Sequence, residues 1–215
     1  MIIVKSLNIG MPKKENFFGK EIVTGICKKP ASGPLALGSE GFAGDGVGDR
    51  KNHGGRDKAV CLYSLDHYSH WAAVLGITLP DAAFGENLSV TSMQEVDVCI
   101  GDRYRIGTAL VEVSQPRQPC ATLAARYGRP DLVRVVVDSG RTGFYCRVVT
   151  EGTVQAGDEI ALAERDPRGV TISFANRILH HDRRDRDGIE KVLAVPALSA
   201  SWQESFRELR EHCVR

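Results

Sequence analysis

The sequence predicts a mainly β protein, a barrel or a sandwich with peripheral helices, followed by a small C-terminal helical unit. Three observations carry that reading. About eight or nine short runs rich in Val, Ile, Leu and Tyr recur along the chain, bounded by Gly, Pro, Asn and Asp. Few helical patterns separate them, whereas a parallel sheet needs a helix at almost every crossover. Beyond Asp166-Pro167-Arg168-Gly169, which reads as a linker, the apolar spacing becomes that of helices. Residues 1–165 are therefore expected to form the β domain and residues 170–215 the helical one.

In chain order, Ile2 to Ile9 and Glu21 to Lys28 have strand composition. A polar turn at Met11–Glu15 joins them, both are expected in one sheet, and Pro30 with Ser32-Gly33-Pro34 closes the second. From Gly38 to Gly55 glycine is dense and interleaved with Asp45, Asp49, Arg50, Lys51, Asn52 and His53. Such length without an element of its own is uncommon in a compact domain, and it reads as a long ordered loop or a mobile lid. Lys58 to Tyr63 is a short apolar strand. Ser64 can cap a helix whose inner face carries Leu65, Tyr68, Trp71, Ala72 and Leu75, ended by Gly76. His67 and His70 have the spacing of a metal pair, but read better as solvated histidines beside an apolar stripe.

Phe84-Gly85-Glu86-Asn87-Leu88 is a glycine turn entering a strand, with Glu86 and Asn87 at its mouth. Val98 to Ile106 and Thr108 to Val113 follow as strands linked by Gly107. Val111 and Val113 alternate with Glu112, and Pro116, which cannot donate a ladder hydrogen bond, should stop that strand near Gln115. Pro119 suits the first turn of a helix reaching Tyr127. Pro130 opens another through Leu132, Val133, Val136 and Val137, although so many valines also permit a strand. Thr142 to Val149, a turn at Glu151–Gly152, Val154 and Glu159 to Ala163 complete an antiparallel set. In the tail, Ile172 to Leu179, Ile189 to Val195 and a last helix bearing Trp202, Phe206 and Leu209 have helical spacing; Ser201 with Glu204 fits a capping box, and Pro196 separates the last two. So short a unit holds too little core to stand alone and should pack on the barrel or on another subunit.

Charge is nearly balanced, 28 Lys plus Arg against 27 Asp plus Glu, so no global field argues for nucleic acid or an anionic membrane. The apolar N-terminal run is too short for a signal-peptide core, and no stretch approaches the ~20 apolar residues of a membrane span. Six scattered cysteines, with no Cys-x-x-Cys, suit a reducing cytoplasm better than a disulfide framework or a zinc knuckle.

Chemistry concentrates in three places. They are His53-Gly54-Gly55 with Arg56, Asp57 and Lys58; Phe84 to Leu88; and Gln115-Pro116-Arg117-Gln118-Pro119-Cys120. Each sets glycine or proline beside polar groups at a strand end, where backbone N–H groups can face an anion or a heteroaromatic ring. Singly, each also reads as an ordinary turn or a solvated charge. Cys120 would face the positive end of a helix with Arg117 nearby, and both favour the thiolate that acts as nucleophile or metal ligand. The alternative is a small buried apolar residue at a strand–helix junction.

In their order and spacing, Asn52-His53-Gly54-Gly55 with Lys58-Ala59-Val60, Phe84-Gly85-Glu86-Asn87-Leu88, Gly101-Asp102 and Ser114 to Cys120 resemble the MOSC domain, and within it the YiiM-like family. Leu198 to Trp202 is similar to the last part of that family's three-helix domain. The resemblance implies a β-barrel that binds the molybdenum cofactor (Mo-molybdopterin), its metal held by the pterin dithiolene and by one protein cysteine, which Cys120 matches. Arg117, Arg56, Lys58 and the Gly54–Gly55 turn are then candidates for its phosphate or nucleotide, and Asn87 and Gln115 for the polar edge of the pterin. His53 would orient substrate or donate a proton, or hold the loop by a structural hydrogen bond. The implied activity is reduction of N-hydroxylated compounds such as 6-N-hydroxylaminopurine to the amines. With no flavin or nicotinamide fingerprint in the chain, electrons should come from a separate flavin-type reductase. A non-catalytic carrier of the pterin, or of sulfur through Cys120, is the alternative, and pairing of two copies through the helical tail is a further expectation.

Overall fold

The computed structural model describes residues 1–49 and 53–213. Arg50, Lys51 and Asn52, part of the glycine-rich stretch, lie outside the described residues. Among the described residues the strands are β1 (Ile2–Ile9), β2 (Lys13–Phe17), β3 (Lys20–Thr24), β4 (Lys29–Pro30), β5 (Leu35–Gly38), β6 (Gly41–Phe42), β7 (Val60–Ser64), β8 (Leu88–Val90), β9 (Arg103–Ile106), β10 (Ala109–Pro116), β11 (Phe144–Thr150), β12 (Gly152–Val154) and β13 (Glu159–Glu164). The helices are α1 (Tyr68–Leu75), α2 (Ala121–Arg126), α3 (Leu132–Ser139), α4 (Ile172–His180), α5 (Arg186–Leu193) and α6 (Ala200–His212).

Seven strands close into a barrel in the order β13-β9-β10-β11-β7-β8-β1, because β1 pairs back onto β13 at Ile2↔Ile160 and Ile3↔Glu159. All neighbours are antiparallel except β7 and β8. A parallel pair needs a long crossover, and the chain supplies it with a 3-10 turn at Leu65–His67, α1 and the Phe84–Asn87 turn. Alternation sends Val111, Val113, Phe144, Cys146 and Ile160 inward, all buried. Ile172, Ile178, Ile189, Val192, Trp202, Phe206 and Leu209 join the same apolar cluster. The helical tail and the barrel thus share one core, as its shortage of apolar residues predicted. A second cluster, with Tyr63, Trp71, Phe84, Leu123, Leu132 and Val136, braces the segments carrying Phe84 and Cys120; Tyr63 and Phe84 stack at 4.3 Å.

Several local expectations are corrected. β1 and β3 do not share a sheet: Lys13 to Glu15, part of the Met11–Glu15 segment read as a turn, belong to a strand, Lys13–Phe17, that pairs with β3 in a separate hairpin. Phe18 (φ 53) and Gly19 (φ 85) form the two-residue reversal that right-twisted hairpins require. Between Val98 and Asp102 only Cys99 is bridged, to Thr171. Asp102 explains this, since its Oδ2 accepts the Cys99 N–H at 2.9 Å and Gly101 turns with φ 93. The valine-rich segment after Pro130 is helical as α3, with Leu132 and Val136 on the buried side. The cap of α6 is Ser199, accepting from the Trp202 N–H at 3.3 Å, while Ser201 lies in the first turn. Pro119 stands just before α2, whose N-cap is Cys120 itself. His67 is not solvated: it is buried, with its Nε2 2.7 Å from Glu95 Oε2, and Glu95 Oε1 also accepts the Gly143 N–H.

Candidate active site

β10 sets the site through a bulge. Its register against β11 shifts between Val113 and Gln115, which ends strict alternation and leaves Ser114, Gln115, Pro116 and Arg117 all buried. The Arg117 N–H is pinned to the Gly143 carbonyl at 3.0 Å, and its Nη2 donates to the Phe84 carbonyl at 2.7 Å. The sequence then ends the strand at two prolines and presents Cys120 at the start of α2. On the facing side, Phe84 to Asn87 turn through Gly85 (φ 77), where a Cβ would meet Ile26 at 2.7 Å, so that only glycine fits. Buried Glu86 holds this turn together by accepting from the Phe84 N–H at 3.0 Å and from the Ser89 hydroxyl at 3.0 Å. Glu86 was expected at the mouth; it is wholly buried.

Between these segments lies a cavity of about 730 Å³, whose third wall is the glycine-rich stretch. Its described part up to Asp49 packs closely on the hairpin of β2 and β3 and the residues that follow it. A Cβ on Gly48 would lie 2.3 Å from the Val23 carbonyl, and one on Gly25 would lie 2.2 Å from the Gly46 carbonyl, so the backbones are in direct contact. Asp45 ties the wall down, accepting from the Gly10 N–H at 2.8 Å, the Asn87 Nδ2 at 2.8 Å and the Lys28 ammonium.

Of the residues singled out from sequence, Cys120, His53, Gly54, Gly55, Lys58, Asn87 and Arg117 all line this one cavity. Gly55 adopts φ 92, and the short turn Arg56–Lys58 follows it. Arg56 and Gln115 are not among the lining residues. Arg56 is exposed, and Gln115 turns toward the helical tail, where its Oε1 accepts from Ser201 at 3.3 Å and its Nε2 donates to the Pro116 carbonyl at 3.2 Å. Asn87 has spent its amide N–H groups on protein partners. Sequence reading gave no role to Lys28, Asp45, Cys61, Thr122 and Tyr145, which also line the cavity. Lys28 lay hidden in a run that reads as a strand end, and Asp45 among glycines.

The electrostatics centre on Cys120. Burial pushes its thiol up, but a hydrogen bond from His53, the charge of Arg117 and the Leu123 N–H outweigh that and bring it down to about 6. At neutral pH it is a thiolate. α2 is only six residues long, so His53 and Arg117 do more here than the helix dipole expected from sequence. Cys61, in the same cavity, behaves oppositely: burial pushes it up to about 12. Arg117 has an exposure of only 5%, and its Nη1 has no hydrogen-bond partner among the described residues. A buried N–H of a cation left unsatisfied is costly and marks a place for an anionic acceptor.

The MOSC domain model matches residues 49–161, and the YiiM-like, 3-alpha helix domain model matches residues 170–212. YflK of Bacillus subtilis (strain 168) is 47% identical over 211 residues, which span 98% of this chain and 96% of YflK. A fungal protein named reductase, from Gibberella moniliformis, is 39% identical over 157 residues, 71% of this chain but 28% of its own length. The crystal structure of YiiM from Geobacillus stearothermophilus superposes with a TM-score of 0.84 at 36% identity, covering 98% of this chain and 100% of that one.

Proposed function

The chain belongs to the MOSC-domain family, of the molybdenum-cofactor-sulfurase type, with the YiiM-like three-helix domain after the barrel, and from that membership we propose a molybdenum-dependent oxidoreductase. Its reaction in this reading is reduction of N-hydroxylated compounds, such as 6-N-hydroxylaminopurine, to the corresponding amines. The observation that carries it is a thiolate, Cys120, hydrogen-bonded by His53 at the wall of a cavity that also holds an unsatisfied guanidinium N–H.

These residues fit the molybdenum cofactor. A soft thiolate suits molybdenum, and the orphaned Nη1 of Arg117 suits an anionic oxygen or sulfur of the pterin group. Cys120 would hold the metal; Arg117, Lys58 and the backbone of Gly54–Gly55 would hold the anionic parts. When bound, the group supplies two-electron reduction of the N–O bond. His53 is partly exposed and in contact with the sulfur, so it can orient the substrate and hand a proton to the departing hydroxyl. Buried Phe84 and Cys61, with half-buried Tyr145 beside them, limit the access of water to the reacting bond.

Electrons would come from a separate flavin-type reductase, and the substrate is a small molecule rather than a nucleic acid. A non-catalytic carrier of pterin or sulfur uses the same thiolate, and turnover separates the two. Protein carrying the cofactor, supplied with an artificial electron donor, should convert 6-N-hydroxylaminopurine to the amine, and Cys120→Ser should not. Molybdenum bound without turnover would favour the carrier.

A further inference from the structure

Asn87 in the Phe84–Leu88 motif has the look of a ligand reader, yet its amide is committed elsewhere. Its Oδ1 accepts the Cys61 N–H at 3.1 Å, and its Nδ2 donates to the Asn8 carbonyl at 3.3 Å and to Asp45 Oδ2 at 2.8 Å. What it does is hold Asp45. The other oxygen of Asp45 accepts from the Gly10 N–H and from Lys28. Asp45 would therefore fasten the glycine wall without a lysine.

Lys28 is nonetheless there, 6% exposed and lining the cavity. An ammonium carries three N–H bonds, and among the described residues Asp45 is the one hydrogen-bond partner recorded for it. Burying a lysine beside a carboxylate costs more than a neutral side chain of similar size, so the pair gives weak stability in return for its desolvation. A second, independent feature belongs to the same cavity lining: Arg117 Nη1, buried and without a hydrogen-bond partner among the described residues. The two cations share a neighbour, since both Arg117 and Lys28 draw the Cys61 thiol downward against its burial.

We infer that Lys28, positioned by Asp45 and Asn87, is a second anion-binding cation of this cavity and joins Arg117 in taking a phosphomonoester. Asp45 and Asn87 are positioning residues: they fix the ammonium and do not touch the ligand. A phosphomonoester offers several anionic oxygens, enough for an ammonium and a guanidinium at once. Such a group could belong to the cofactor or to a phosphorylated substrate, and its assignment to the cofactor rests on the reading proposed above.

The test is calorimetric titration of cofactor-free protein with inorganic phosphate. Lys28→Gln alone strands a buried carboxylate, so the informative variant is Lys28→Gln with Asp45→Asn, which removes both charges and keeps an acceptor for Gly10; circular dichroism checks its fold. Phosphate affinity should fall at least about tenfold in the double variant, the scale expected on losing one charge-assisted partner. Binding within about twofold of the parent, or no binding by the parent, overturns the inference. A second arm assigns the source, using molybdenum and fluorescent oxidised pterin per chain in protein from a host that makes the cofactor. Loss of both in the double variant places the phosphate on the cofactor. Unchanged content, with a nucleoside 5′-monophosphate still competing for inorganic phosphate on the loaded parent protein, places it on the substrate. Failure of the reductase reading looks different: no turnover by loaded protein, with the difference in phosphate affinity intact.

Discussion

His53 hydrogen-bonds Cys120, so the glycine-rich segment and the N-terminus of α2, far apart in sequence, meet at one sulfur atom. That contact opposes the upward push of burial and predicts a pH profile. In cofactor-free protein, alkylation of Cys120 by iodoacetamide, followed by mass spectrometry, should rise to half its maximum near pH 6 rather than near the ordinary 9.0. His53→Ala should move that midpoint upward. The linkage has a definite sign: a lowered thiol pKa stabilises the fold fully above about 9 and loses that contribution as pH falls through about 6. Melting curves of the parent, but not of Cys120→Ser, should carry this dependence. A midpoint unmoved by His53→Ala would assign the shift to Arg117 and the Leu123 N–H.

Arg117 should tolerate no substitution cheaply. Arg117→Met leaves the Phe84 carbonyl without its donor and removes a buried cation beside the thiolate. We expect a loss of about 2–4 kcal/mol in urea unfolding and a higher Cys120 pKa in the same alkylation assay. Loss of stability without a change in alkylation would separate the two roles.

The contact between the backbones of Gly48 and Val23 makes Gly48→Ala a wedge. With the carbonyl 2.3 Å from the new Cβ, the wall must move off β3, at a cost of about 1–3 kcal/mol. Limited proteolysis should then cut the stretch between Gly44 and Gly55 faster, whereas Gly33→Ala, which meets nothing within 4 Å, should leave cleavage unchanged.

Glu95 satisfies two buried donors at once, His67 and the Gly143 N–H. Glu95→Ala orphans both, and equilibrium unfolding should show a loss of about 3–5 kcal/mol. Glu95→Gln retains an acceptor and should lose less.

Trp202 packs in the apolar cluster that runs from the barrel into the tail. Trp202→Ala should therefore lower the stability of the whole chain by about 3–5 kcal/mol in a single transition, rather than release the tail alone. The Trp202 Nε1 has no hydrogen-bond partner among the described residues, so Trp202→Phe, which deletes that donor and keeps most of the ring, should cost far less. Two separate calorimetric transitions in the parent would contradict the shared core.

Much of this arrangement was legible in the sequence because it rests on local rules. Valine alternation located β10, the Pro116 and Pro119 pair marked where it gives way to α2, and the change to helical spacing after Gly169 marked the tail. The hairpin of β2 and β3 was not legible, because Lys13-Lys14-Glu15-Asn16-Phe17 has the polarity of a turn and becomes a strand only through its pairing. His67 misled for a related reason: beside an apolar stripe a histidine reads as solvated, and only a partner 28 residues away, Glu95, makes its burial possible. In the cavity, the glycine and proline motifs located Cys120, His53, Asn87 and Arg117. Lys28 and Asp45 were missed because a lone charge carries no local signature of what it faces. Gln115 was misplaced by the bulge at Ser114, which turns it away from the cavity and toward the tail.

Since β13 returns to β1, the hydrogen-bond ladder of the seven strands runs full circle, and each of them has a neighbour on both sides for at least part of its length. Lateral growth into fibres finds no template in the intact ring. On the ring, it must wait until the seam at Ile2–Ile3 and Glu159–Ile160 parts, whereas the separate hairpin of β2 and β3 already carries its outer edges unpaired by any other strand among the described residues.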